Sequence, residues 1–254
     1  MKPKTDARNR KRRERIVTVT VVAVISILFF VALPIAVHRY YASMAEQETP
    51  QWDVVDFSAL SYAGTPYVEI NGNVPFFTKD DLTTEAYESY APLDSLGRCG
   101  PAMACLGPET LPTEERGPIG AVRPSGWHTV RYDDLIEDKF LYNRCHLIAY
   151  MLSAENDNER NLITGTRYFN TEGMLPLELQ VASYIARTEN HVLYRVTPIF
   201  EGDNLLASGV EIEAQSVEDH GVDIRFHVFV FNVQPGIEID YRTGDSRRIR
   251  DPAG

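Results

Sequence analysis

Leu141-Tyr142-Asn143-Arg144-Cys145-His146-Leu147-Ile148 is an apolar, strand-like run that ends in a polar tripeptide and a histidine. A second such run follows, Asn158-Glu159-Arg160-Asn161-Leu162-Ile163-Thr164-Gly165-Thr166-Arg167-Tyr168-Phe169-Asn170, and it too ends in a polar side chain. Read together they predict a strand, a loop, a second strand and a helix carrying a polar ligand, the outline of a small metal finger. Taken alone, His146 reads as a satisfied core histidine; it is the second run that gives it chemical meaning.

Working outward, Leu175, Leu179, Ala182 and Ile185 recur at helical spacing, with Pro176 suited to a first turn and Arg187 near the end, so a helix is expected over Pro176 to Arg187. Strand-like runs follow at His191 to Phe200, Gly209 to Ala214 and Ile224 to Asn232. In the second of these, Val210, Ile212 and Ala214 alternate with Glu211 and Glu213, the pattern of a half-buried strand; in the third, apolar residues occupy both parities, as in a strand covered on both faces. Leu60 to Val74 reads as strands and turns, and Asp80 to Ser125 as loop with one or two short helices. The expected class is α+β, an antiparallel sheet flanked by helices.

Before this core, Lys2, Lys4, Arg8, Arg10, Lys11, Arg12, Arg13 and Arg15 precede an uncharged run from Ile16 to Val37, 22 residues long. A helix of that length covers about 33 Å, enough for a hydrocarbon core of roughly 30 Å, and the cations in front of it place the rest of the chain outside the cytoplasm. The expected organisation is a basic segment at 1–15, a transmembrane anchor or signal at 16–37, a linker at 38–59 and a catalytic domain at 60–254. Ser43 and Ala45 offer a cleavage site that would release a secreted form.

Residues 1–39 carry nine Lys/Arg against Asp6 and Glu14, a net +7, so with a total of −11 the remainder carries −18. Such acidity counts against broad neutralisation of phosphates, for which a basic patch is the usual footprint. Arg242, Arg247, Arg248 and Arg250 read as a solvated tail. Cys99 and Cys105 flank a turn-rich stretch that a disulfide could close, which leaves Cys145 as a buried thiol, and no CxxC pair supports structural zinc.

The run NRCHLIAYMLSAENDNERNLITGTRYFN, with PSGW at Pro124 to Trp127 and NHVLYRVTPIF at Asn190 to Phe200, resembles the DNA/RNA non-specific endonuclease family, and most closely its branch of streptococcal secreted DNases and membrane-bound DNA-entry nucleases. The likeness spans roughly Leu60 to Tyr241. The family's tripeptide before the histidine is usually Asp-Arg-Gly; here it reads Asn143-Arg144-Cys145.

The resemblance implies a ββα-metal site. His146 would be the general base, Asn170 the protein ligand of Mg²⁺, and Asn161 a support for the reacting phosphate or for the histidine. Arg116 would bind phosphate, and Arg144 joins the catalytic candidates from within the tripeptide. Gln180 and Glu189 are candidates for holding the water shell of the metal, with Glu178 a rival. Mg²⁺ keeps its waters and needs few protein ligands, so such a site is chemically sufficient, and Mn²⁺ is a substitute. The implied substrate is DNA, with RNA also open, the implied products carry 5′-phosphates, and no organic cofactor is called for.

Two other classes compete. A cell-surface receptor would capture DNA without cutting it, and a thiol hydrolase would use Cys145 as nucleophile. The second requires His128, His191, His220 or His227, because the adjacent His146 points to the other face of a strand.

Overall fold

The computed structural model describes residues 55–249. Its strands are Tyr67–Glu69 (β1), Tyr87–Tyr90 (β2), Ala102–Leu106 (β3), Tyr142–His146 (β4), Leu162–Thr166 (β5), Val192–Ile199 (β6), Gly209–Ser216 (β7), Arg225–Phe231 (β8), Ile237–Ile239 (β9) and Ser246–Arg248 (β10). A single helical turn, Tyr150–Ser153 (α1), lies between β4 and β5, and Leu175–Thr188 (α2) follows β5. Six strands form one antiparallel sheet in the order β1-β8-β7-β6-β3-β2; β4 pairs with β5 and β9 with β10. The class is α+β, as the sequence predicts. The transmembrane segment expected at 16–37 and the basic segment at 1–15 lie outside the described residues.

Side chains alternate across the pleat, so each central strand feeds two cores. On one face Ala104, Tyr194, Ile212 and Val228 meet Leu177, Val181 and Ile185 of α2, together with Cys145, Ile163 and Phe169 of the β4–β5 unit. On the other, Phe229 and Phe231 meet Ile70, Phe57 and Tyr62, while Cys105 and Leu193 meet Phe77 and Leu82. The covered second face explains the apolar residues on both parities of β8. It also draws in Val55 and Phe57, which the sequence pattern assigns to a linker.

Three expectations are corrected here. The helix at 175–188 forms, with proline in its first turn, but it buries Leu177, Glu178, Val181, Tyr184 and Ile185, while Leu179 is 51% exposed. Both faces have helical spacing; burying Leu177, Val181 and Ile185, each worth roughly 1.5–3 kcal/mol, outweighs leaving Leu179 in water. Next, β2 and β3 fall in the stretch read as loop: they are short, β2 ends just before Pro92 and β3 lies between Pro101 and Pro108, and the alanines of β3 carry little strand signal. Last, Cys99 and Cys105 are both free thiols. The extended backbone of β3 directs Cys105 into the core on one sheet face while Cys99 lies in the core on the other; their Sγ atoms donate to Thr83 O and to the Glu159 and Leu162 carbonyls respectively.

A satellite core of Ile136, Leu141, Tyr142, Leu206 and Ile237 joins the β9–β10 hairpin to the base of β4. The expected solvated tail is instead tied down in part: Arg247 pairs with Glu238 and Arg248 with Asp134.

Candidate active site

β4 and β5 pair in antiparallel register, with Arg144 opposite Thr164 and His146 opposite Leu162. The chain leaving β4 is fastened to the chain entering β5: Leu147 N donates to Asn161 O at 2.9 Å. The Asn161 side chain accepts from Ile148 N at 2.9 Å and donates to Ile148 O at 3.0 Å. Asn161 is fully buried, and its amide is spent on holding the peptide two residues past His146.

His146 is 8% exposed, and its Nε2 lies 2.8 Å from the backbone carbonyl of Asn156. A carbonyl only accepts, so Nε2 carries the proton and Nδ1 keeps the lone pair of a neutral ring. Burial lowers the imidazole pKa below its ordinary value; the Asn156 carbonyl opposes that, and the charge of Arg116 adds to it. A neutral ring whose Nδ1 keeps its lone pair is a competent base near pH 7.

After β5 the chain winds through a π-helical segment, Phe169–Met174, in which Leu175 N donates to Asn170 O, and runs directly into α2. An i→i+5 bond takes up about one residue more than an α turn, so one π turn and one α turn together span about eight residues. Asn170, Met174 and Glu178 therefore share a face. Glu178 is 7% exposed; burial pushes its carboxyl up to about 8, with Arg116 pulling the other way. Among the described residues, neither the Asn170 amide, the Glu178 carboxyl nor the Arg116 guanidinium has a hydrogen-bonding or ion-pairing partner. Arg116 is exposed, and its charge acts on both His146 and Glu178.

The other candidates lie elsewhere. Gln180 is exposed and lines a shallow cavity of about 170 Å³ with Tyr67, Glu69 and Arg225, beside the β1 edge of the sheet. Glu189 is exposed and caps α2 in the left-handed conformation at φ 58°, eleven residues or about 16 Å beyond Glu178. Arg144 turns its donors onto backbone, with Nε to Val122 O at 2.5 Å and Nη2 to Gly120 O at 3.0 Å. The pair Asn170 and Glu178 thus share one face of a helix, while Gln180 and Glu189 do not.

On the opposite sheet face Glu211, Glu213 and His227 bring one ligand atom each within 4.8 Å of one another, a donor set consistent with a divalent cation. These donors are already engaged. His227 Nε2 lies 2.6 Å from Glu211 and Nδ1 2.9 Å from Val74 O. Glu213, 1% exposed, accepts from Arg195 Nε and from Phe76 N, both at 2.6 Å. The alternation of β7 assigns Glu211 and Glu213 to a solvated face. Only the pairing of Glu213 with His227 across β7 and β8, covered by the chain at 73–77, reveals the cluster.

Cys145 is wholly enclosed and burial pushes its thiol far up, which disfavours the thiolate that a nucleophile needs.

Comparison with known proteins gives the family and the fold. Residues 78–218 match the family model described as DNA/RNA non-specific endonuclease. The fold is similar to the magnesium-bound crystal structure of NucA from Streptococcus agalactiae, with 25% identity, a TM-score of 0.65, and 74% of this chain and 89% of that one covered. It is also similar to Sda1 nuclease with bound zinc, at 26% identity and TM-score 0.53 over 65% and 81% of the two chains. An extracellular endonuclease is similar at 20% identity and TM-score 0.51, over 74% and 100%. The single-pass membrane placement expected from residues 16–37 is corrected at this point. A similar protein is described as extracellular, and among the described residues no helix is long and apolar enough to cross a membrane.

Proposed function

We propose that this chain, which belongs to the DNA/RNA non-specific endonuclease family, is a Mg²⁺-dependent nuclease that hydrolyses phosphodiesters of DNA, and of RNA, at the β4–β5–α2 unit; the magnesium-bound NucA structure of similar fold supports that reading. Nδ1 of His146 takes the proton of the attacking water, its ring held by the Asn156 carbonyl through Nε2. Arg116 sets positive charge beside the scissile phosphate. Asn161 acts through His146, fixing the strand that carries it, and does not touch substrate.

The metal that this family implies fits the residues present: on one helix face Asn170 offers an amide oxygen and Glu178 a carboxyl, neither with a hydrogen-bonding or ion-pairing partner among the described residues. Mg²⁺ held there supplies charge stabilisation at the phosphate and the departing 3′ oxygen, and Mn²⁺ meets the same oxygen-rich preference. Glu178 takes the place that the sequence also offers to Gln180 and Glu189, because a buried carboxyl gains most from a cation nearby.

The observation that carries the reading is one unit bearing a neutral, anchored imidazole together with an unpartnered amide and carboxyl. The test is plasmid and RNA digestion against a Mg²⁺ titration, with His146→Ala and Asn170→Ala alongside the wild type. A His146→Ala protein that still cuts overturns the assignment of the base. Unaltered nucleic acid with wild-type protein in excess Mg²⁺ would instead favour the receptor that binds without cutting.

Glu211, Glu213 and His227 support a second location for a cation, since their ligand atoms already converge. For it to bind, the His227–Glu211 contact has to open. His227→Gln should leave the Mg²⁺ dependence of cleavage untouched if Asn170 holds the metal, and should shift it if this cluster does.

A further inference from the structure

The stretch from Arg116 to Trp127 has almost no regular structure, yet it is fastened at many points to the unit it lies against. Arg144 reaches from β4 to accept-only groups of this loop, the carbonyls of Val122 and Gly120, and its guanidinium lies 4.0 Å over the Trp127 ring. Directly across the ladder from Arg144, Thr164 Oγ1 donates to Ser125 O at 2.8 Å, and Ser125 Oγ donates to Leu205 O at 2.6 Å. Gly126 is threaded at φ +64° against Leu206, whose Cδ1 would stand 2.1 Å from any Cβ placed there. At the other end Tyr150 Oη donates to Glu114 O at 2.8 Å, and Gly117 packs on the Asn156 side chain, in the segment whose carbonyl holds His146.

Resting on the nuclease reading above, we infer that Arg144 is a positioning residue: it clamps the Gly120–Trp127 loop to the hairpin so that Arg116, at the head of the same loop, stays beside His146. Arg144 and His146 are two apart on β4 and so share a face. An arginine there invites assignment to the phosphate. Its geometry points instead to the loop, because a planar fork that binds two carbonyls while stacking on an indole is already oriented by protein. Lysine offers neither the fork nor the flat stacking surface, so charge alone should not replace it.

The test uses the full chain with Trp52→Phe throughout, which leaves Trp127 as the only tryptophan. Wild type, Arg144→Ala and Arg144→Lys are compared by Trp127 emission, by tryptic nicking at Arg116–Gly117 without nucleic acid, and by kcat and KM on duplex DNA across a salt series. The clamp predicts red-shifted emission and faster nicking in both variants, with kcat falling about ten- to a hundredfold, as expected for a displaced catalytic group. KM should hold within about twofold, and the slope of log KM against log salt should stay that of the wild type.

Recovery of wild-type kcat in Arg144→Lys overturns the inference. So does unchanged emission and nicking in Arg144→Ala with a salt slope reduced by about one, the signature of a lost phosphate contact. If Arg144→Ala fails to fold, Arg144→Lys alone decides by the same readouts. Emission and nicking need no catalysis, so an inactive wild type would sink the nuclease reading, while the clamp would still stand or fall on those two measurements.

Discussion

Nε2 of His146 sits 2.8 Å from the backbone carbonyl of Asn156, and this contact fixes which nitrogen of the ring can act as a base. Burial and the Arg116 charge lower the imidazole pKa, so the neutral form persists to lower pH than in a free imidazole. Cleavage should therefore rise with pH along an acid limb centred below the ordinary value of about 6.5 and be flat near neutrality. A pH–kcat/KM profile in saturating Mg²⁺ checks this, and a midpoint above about 7 would contradict it. By the same sign the contribution of His146 to stability is lost as pH falls, since folding opposes its protonation.

Asn170→Ala should raise the Mg²⁺ concentration needed for half-maximal rate by at least about tenfold, with the far-ultraviolet spectrum and the melting curve unchanged. The amide is half-exposed and has no hydrogen-bonding partner among the described residues. A variant with the Mg²⁺ response of the wild type moves the cation elsewhere.

Glu178→Gln tests the buried carboxyl through stability. Its folded pKa of about 8 stands above the unfolded value of 4.5, so both states are protonated at low pH and burial becomes steadily more costly as pH rises towards 8. In chelator, the glutamine variant should match the wild type near pH 4.5 and be the more stable by ~2–4 kcal/mol at pH 8. Mg²⁺ should narrow that gap by stabilising the wild type alone. Equal melting curves at pH 8 in chelator would show a carboxyl that is not buried as described.

Cys145→Ala should retain kcat within about threefold and cost ~1–2 kcal/mol from the small cavity left. The reason is local: Cys145 Sγ and the Phe169 ring fill the space beside Gly165, where an added Cβ would stand 2.6 Å and 2.5 Å from them. Loss of activity in a folded Cys145→Ala would revive the thiol mechanism. Gly165→Ala should be the more damaging change, because both obstructing groups belong to the packed core.

Much of this protein is legible in one dimension because the signals are periodic. Short apolar runs predict β6, β7 and β8, alternating in β7 and apolar on both parities in β8, the spacing of apolar residues with a leading Pro176 predicts α2, and two polar-tipped runs in succession bring out the hairpin and the helix after it. His146 and Asn170 stand at the ends of those runs, while Arg116, the rival Glu178 and the roles of all four come from the family resemblance. Periodicity, however, reports an element and not what covers it. It points Leu179 inward and Glu213 outward, and it passes over β2 and β3, whose pairing depends on partners distant in the chain.

Local spacing and residue type are enough to specify most of the secondary elements, the α+β class and the kind of chemistry at the hairpin, because each of these is encoded within a few turns or strand residues of chain. They do not specify which nitrogen of His146 is basic, why Glu178 rather than Gln180 or Glu189 stands on the face of Asn170, or where the donors of Arg144 go; folding in three dimensions does. Each of these depends on groups many residues away, or on a π turn that resets the helix, and a hydrogen bond or a buried charge has no energy until its surroundings are brought together.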